Sequence, residues 1–110
     1  MQYKLFFFNQ KVQQTIEAWP KGIYASFLRI TEQMQISGPD LGLPYTRAMG
    51  RGLFEIRAHG QEGIARAMYC CLKGQRIVVL HGFIKKTQTT QDKDLKMAIS
   101  RLKVVQDENF

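Results

Sequence analysis

Four side chains suited to phosphate chemistry recur along one stretch of this 110-residue chain: Arg57, Arg66, His81 and Lys85. Arginine presents a planar fork that matches phosphate oxygens. Histidine exchanges protons near neutral pH. Brought together, such groups could cleave a phosphodiester. A base takes the 2′-hydroxyl proton, an acid protonates the leaving 5′-oxygen, and the cations stabilise the charge that builds between them. Short of cleavage, the same set would hold an anion.

The charge pattern singles out the same region. The chain carries sixteen Lys and Arg against nine Asp and Glu, a formal charge of +7. Between Leu43 and Lys86 the basic residues Arg47, Arg51, Arg57, Arg66, Lys73, Arg76, Lys85 and Lys86 meet only Glu55 and Glu62, so this segment holds +6 of the +7. A field so localised suits a polyanion. Arg47, Arg51, Lys73, Arg76 and Lys86 are therefore candidate RNA contacts around the four candidate catalytic residues.

Residues 53–86 must position these groups. Alternation in LFEIRAH, IARAMYCCL and QRIVVLHGF predicts three strands of an antiparallel meander. Residues 60–63 make the first turn, and Lys73-Gly74 makes a two-residue second turn. The second turn would set Arg66 opposite His81. One of two registers for the first sets Arg57 opposite Arg66, so Arg57, Arg66 and His81 would form one row, with Lys85 further along the same face. A one-residue slip would break that row. Opposed arginines cost stability, a cost more readily accepted where an anion sits between them. The plainer readings are that Arg57 pairs with Glu55 or Glu62, that His59 is solvated beside its turn, that His81 is a satisfied, half-buried histidine, and that Tyr69 belongs to the core.

The remaining elements frame the meander. Tyr3 to Phe8 reads as a short buried strand. Val12, Ile16 and Trp19 share one face of a short helix. Pro20 suits the first turn of a second helix, whose stripe is Ile23, Phe27, Ile30 and Met34 and which Ser37-Gly38-Pro39 ends. Trp19 and Phe27 are core residues. Residues 39–52, rich in Gly and Pro, read as loop. Thr89 with Asp92 has the form of a helix start, and Leu95, Ile99 and Leu102 line the last helix. The order is strand, helix, helix, three strands, helix: one α+β domain over residues 1–110. Cys70 and Cys71 point to opposite faces of a strand and read as buried, reduced thiols. No spacing resembles a zinc site, and no metal or cofactor is expected. With no run long enough to cross a membrane and no signal-peptide pattern at the start, a cytoplasmic protein is expected.

The strings GLFEIR and YCCLKGQRIVVLHGFIKKTQTT, running into a polar helix, resemble the HigB branch of the RelE/ParE toxin superfamily, the phage-derived host-killer type. HGFIKKTQ is the most specific part, and the resemblance spans nearly the whole chain. It implies a compact RelE-like fold: an N-terminal strand and helical hairpin packed on the meander, with a C-terminal helix. It implies the toxin of a type II toxin–antitoxin pair, a metal-independent endoribonuclease that cuts mRNA in the ribosomal A site beside rRNA. Its partner would be an antitoxin, a helix-turn-helix protein. Arg57, Arg66, Lys85 and Lys86 match basic positions of the family, and His81 matches its H-x-F element. The chain departs from the pattern in three places. The lysine and proline that usually follow KKTQ are absent, and with that lysine goes one phosphate contact. Ala67-Met68-Tyr69 replaces a more aromatic segment, and the tail is short. The alternatives are a toxin of the same fold that inhibits DNA gyrase without cutting RNA, and a phage-derived nucleic-acid-binding module.

Overall fold

The computed structural model describes residues 2–86 and 90–107. Along the chain run β1 (Lys4–Phe7), α1 (Gln10–Glu17), α2 (Lys21–Ser37), β2 (Thr46–Gly50), β3 (Leu53–Gly60), β4 (Gly63–Leu72), β5 (Arg76–Ile84) and α3 (Asp92–Asp107). The five strands form one sheet in the order β1-β5-β4-β3-β2. Strands β2 to β5 are the antiparallel meander, and β1 adds at its edge parallel to β5. The α+β class, the helical hairpin, the meander and the final helix are all as the sequence led us to expect.

Alternation explains the layering. Ile56, Ala58, Ala65, Ala67, Tyr69, Ile77 and Val79 face one side, where α1 and α2 bury Val12, Ile16, Ile23, Phe27, Ile30 and Met34 against them. Trp19 meets Phe27 edge-on at 5.8 Å between ring centroids. Leu53, Met68, Cys70, Val78 and Leu80 face the other side, where α3 lays Ala98, Leu102 and Val105 on them. Asp94 extends the buried stripe of α3, whereas Leu95 and Ile99 only flank it. Helix α3 covers part of this second face. The rest holds the basic residues.

Four expectations are corrected. The 39–52 segment contains β2, which pairs Arg47 with Glu55 and Thr46 with Ile56; turn-forming glycines masked a five-residue strand. The N-terminal strand is a half-exposed edge, with Lys4 and Phe6 turned outward, not a buried one. Cys70 is buried but Cys71 is exposed. The β4–β5 loop has three residues, Lys73, Gly74 and Gln75, because Leu72 pairs with Arg76; Gly74 and Gln75 turn the chain with φ of 84° and 58°. Further along, β5 bulges. Met68 pairs with His81 and Tyr69 with Val79, which leaves Leu80 as the extra residue. Its carbonyl accepts from Arg101 Nη1 at 2.7 Å. The Thr89 cap lies outside the described residues. No helix among the described residues is long and apolar enough to cross a membrane.

Candidate functional site

Glu55 is the centre of the basic face. The β2–β3 ladder sets Arg47 opposite it, and the β3–β4 ladder sets Arg57 opposite Arg66 one pair further on. Glu55 is 1% exposed. Its Oε2 accepts from Arg47 Nε at 2.9 Å and from Arg57 Nη1 at 2.8 Å. Its Oε1 lies 3.8 Å from Arg66 Nε, beyond a hydrogen bond. Both of those atoms are buried without a hydrogen-bond partner, a state that costs about 1–3 kcal/mol per group. Arg66 is 4% exposed and donates from Nη1 to the Ala65 carbonyl at 3.1 Å. Three guanidinium groups thus surround one carboxylate and leave a local excess of positive charge. Burial pulls the Arg66 pKa down and Arg57 pulls it further, while Glu55 works against both. Lys85 is lowered in the same way, by burial first and then by Arg66.

Strand β5 completes the face with His81, Phe83 and Lys85 at alternate positions. The three-residue β4–β5 turn and the bulge each shift their register by one from the one expected. Arg66 stands opposite Phe83, and His81 stands opposite Met68. Arg57, Arg66 and Phe83 therefore form the row, with His81 one step toward α3 on the same face. His81 Nε2 lies 2.7 Å from Asp94 Oδ1 in the first turn of α3, and its ring stacks on Phe83 at 5.7 Å. Beside them a groove of about 290 Å³ is lined by Phe83, Lys85, Lys86, Gln91, Lys93 and Asp94, with Ile84 at its edge.

The structure gathers Arg47, Arg57, Arg66, His81, Lys85 and Lys86 on this part of the sheet. It does not bring Arg51, Lys73 and Arg76 there. Arg51 occupies the β2–β3 turn, Lys73 the β4–β5 turn, and Arg76 the first position of β5. Leu72, the partner of Arg76, lies six positions along β4 from Arg66, which is roughly 20 Å of strand. Arg57 does pair with Glu55, His59 is exposed and Tyr69 is buried. Sequence reasoning missed Glu55 as an organiser. The signal was there, since Glu55 and Arg57 share a face by alternation. It also missed Asp94 and Phe83: the first depends on how α3 docks, the second on the three-residue turn and the bulge. Among the described residues no group of three or more His, Cys, Asp or Glu side chains gathers to hold a metal ion.

With this geometry in hand, comparison with known proteins places the chain. The family described as phage derived protein Gp49-like (DUF891) matches residues 14–103, and the chain belongs to it. A chain from the crystal structure of the archaeal RelE–RelB complex of Pyrococcus horikoshii OT3 superposes with a TM-score of 0.56 at 20% identity, covering 76% of this chain and 96% of that one. The fold is thus RelE-like, and the RelE resemblance carried by GLFEIR and HGFIKK is borne out in family and fold. No curated protein matches the chain.

Proposed function

We propose that this protein is the toxin of a type II toxin–antitoxin pair and that it cleaves mRNA on the ribosome. The observation that carries the reading is the Arg47–Arg57–Arg66 cluster around buried Glu55, with Arg66 Nε still lacking a hydrogen-bond partner. One acidic group cannot neutralise three arginines, and the partly exposed Arg47 and Arg57 present the excess charge to an anion. The RelE-like fold, and the source of the superposed chain in a RelE–RelB complex, support a toxin held by an antitoxin partner.

In this reading Arg57 grips the scissile phosphate, and the buried charge of Arg66 behind it strengthens the hold. The 2′-oxygen attacks phosphorus, the bond to the 5′-oxygen breaks, and a 2′,3′-cyclic phosphate and a 5′-hydroxyl form. His81 takes the 2′-hydroxyl proton, its ring fixed through Nε2 by Asp94. Lys85 supplies a proton to the leaving oxygen; a lowered pKa makes an ammonium a better acid nearer working pH. Arg47 stands behind Arg57 on the same carboxylate oxygen, and Lys86 contacts the strand beyond. The test is induction in bacteria that lack the partner. Protein synthesis should stop and growth should arrest, and co-expression of the cognate antitoxin should restore both. Unimpaired growth with soluble protein verified in the lysate contradicts the reading. Arrest with DNA breaks and uncut mRNA would favour the gyrase alternative.

A further inference from the structure

Strand β3 outruns its neighbour on one side. Strand β2 begins at Thr46, opposite Ile56, so Arg57 to Gly60 have no strand beside them there. Along an antiparallel strand, the N–H and C=O of every second residue point to the same side. The Arg57 N–H reaches the Tyr45 carbonyl at 2.8 Å, but the Tyr45 N–H turns back to the Gly42 carbonyl. That loop therefore leaves the Arg57 carbonyl unanswered. Two residues on, the His59 N–H donates to Ser26 Oγ at 3.1 Å, and the His59 carbonyl faces the same strandless side. Acceptors two residues apart are about 6.5–7 Å apart, the spacing at which another strand presents its own N–H groups. Such an edge is a template for one more strand.

A groove of about 500 Å³ lies at this edge, between α2 and the 39–45 loop. Ile30, Leu41, Pro44 and Tyr45 give it apolar walls, Arg29, Arg57 and His59 give it basic groups, and no acidic side chain lines it. Among the described residues no carboxylate pairs with Arg29 or His59. Alternation separates the two kinds of lining. Ile56 and Ala58 of β3 face the helical layer, so Arg57 and His59 send their side chains to the other side of the sheet. A strand added here would turn one set of side chains to the apolar walls and the alternate set to Arg57 and His59 as cross-strand neighbours. A nucleic acid would suit the cations but would not answer the carbonyls. A peptide backbone answers both carbonyls, and carboxylates on alternate residues match the charge.

We infer that this groove docks an extended segment of a partner protein, in which acidic and apolar residues alternate, as a strand added to the free edge of β3. Its N–H groups meet the Arg57 and His59 carbonyls, its apolar side chains lie against Ile30 and Tyr45, and its carboxylates meet Arg57, His59 and Arg29. This goes beyond the toxin reading and needs no RNA, so the two stand or fall separately.

Binding of a short fluorescent peptide of alternating glutamate and valine to the purified full chain, read by anisotropy, tests this. It should bind at least about ten-fold tighter than its lysine–valine counterpart. N-methylation of one alternate set of its amides should abolish binding, because that set meets β3, and methylation of the other set should leave it within about two-fold. Arg29→Glu, on the exposed face of α2, should weaken the acidic peptide about ten-fold, whereas Lys103→Glu, the same reversal on exposed α3 surface, should leave it unchanged. No measurable binding of the acidic peptide overturns the inference. So do equal effects of the two methylated sets, and equal effects of Arg29→Glu and Lys103→Glu, which would mark attraction to the overall charge alone. If the chain instead sediments as a dimer that Arg29→Glu splits, a second copy covers the groove and the inference falls.

Discussion

Glu55 accepts from two arginines on one oxygen and faces a third arginine with the other. It holds like charges together. Arg47 and Arg57 are partly solvated, with side-chain exposures of 50% and 29%, so water screens much of their mutual repulsion. The buried Arg66 is what depends on Glu55. Glu55→Gln keeps the shape and removes the charge, and it should cost about 2 kcal/mol in chemical denaturation. Inorganic phosphate should raise the melting temperature of Glu55→Gln more than that of the wild type, because the anion then supplies the missing counter-charge. An equal response of both proteins would show that no phosphate binds among these arginines. The two cysteines give a second test at this scale. Burial pushes the Cys70 thiol up to about 12, and the thiolate is the reactive form. Native protein at pH 8 should take up one equivalent of alkylating agent, at the exposed Cys71. Unfolded protein should take up two.

At the scale of elements, two contacts hold the helical layer to the sheet. Pro20 leaves the start of α2 without a side-chain cap. Glu62, in the β3–β4 turn, supplies one from outside, accepting from the Gly22 N–H at 3.0 Å. That bond lowers the Glu62 pKa below its ordinary value of 4.5. A carboxylate lowered on folding stabilises fully above its unfolded pKa and loses that effect as pH falls through the lower folded value. Glu62→Gln should therefore melt below the wild type at pH 7, and the gap should narrow as pH falls below 4.5. The second contact is the close approach of Gly82. A Cβ there would lie 2.7 Å from Ile16 Cγ1 and 3.1 Å from Trp19 Cζ2, so Gly82→Ala should cost about 1–3 kcal/mol by overpacking. Gly82 stands next to His81 just beyond the bulge, and this region also marks where the sequence stopped being legible. Period-two alternation found β3, β4 and β5, and one of the two registers open to the first turn set Arg57 against Arg66, the register observed. Alternation cannot register one extra residue, and Leu80 is that residue. The three-residue β4–β5 turn adds a second shift, and the two together turned the expected row of Arg57, Arg66 and His81 into Arg57, Arg66 and Phe83.

For the whole molecule, apolar stripes were a sufficient guide to architecture. Ile23, Phe27, Ile30 and Met34 name the inner face of α2, and all four are buried. The site was legible only in part, because it is assembled across elements. Arg47 reaches Glu55 from β2, a strand hidden among turn residues. Asp94 reaches His81 across thirteen positions of sequence, through a docking of α3 that no local pattern encodes. The same assembly divides the basic residues: one group lies round Glu55, while Arg51, Lys73 and Arg76 lie at the other end of the sheet. Arg57→Ala should accordingly abolish toxicity and leave the fold intact by circular dichroism, since its side chain is partly exposed. Lys73→Ala should weaken toxicity at most a few-fold. The account is tested most directly by mapping mRNA 5′ ends across the transcriptome minutes after induction without the antitoxin, for the wild type and for Arg57→Ala. New ends bearing 5′-hydroxyls should appear inside translated reading frames with the wild type, disappear when translation initiation is blocked, and be absent with Arg57→Ala. Arrested cells with unaltered mRNA ends, or ends unaffected by loss of Arg57, would contradict it.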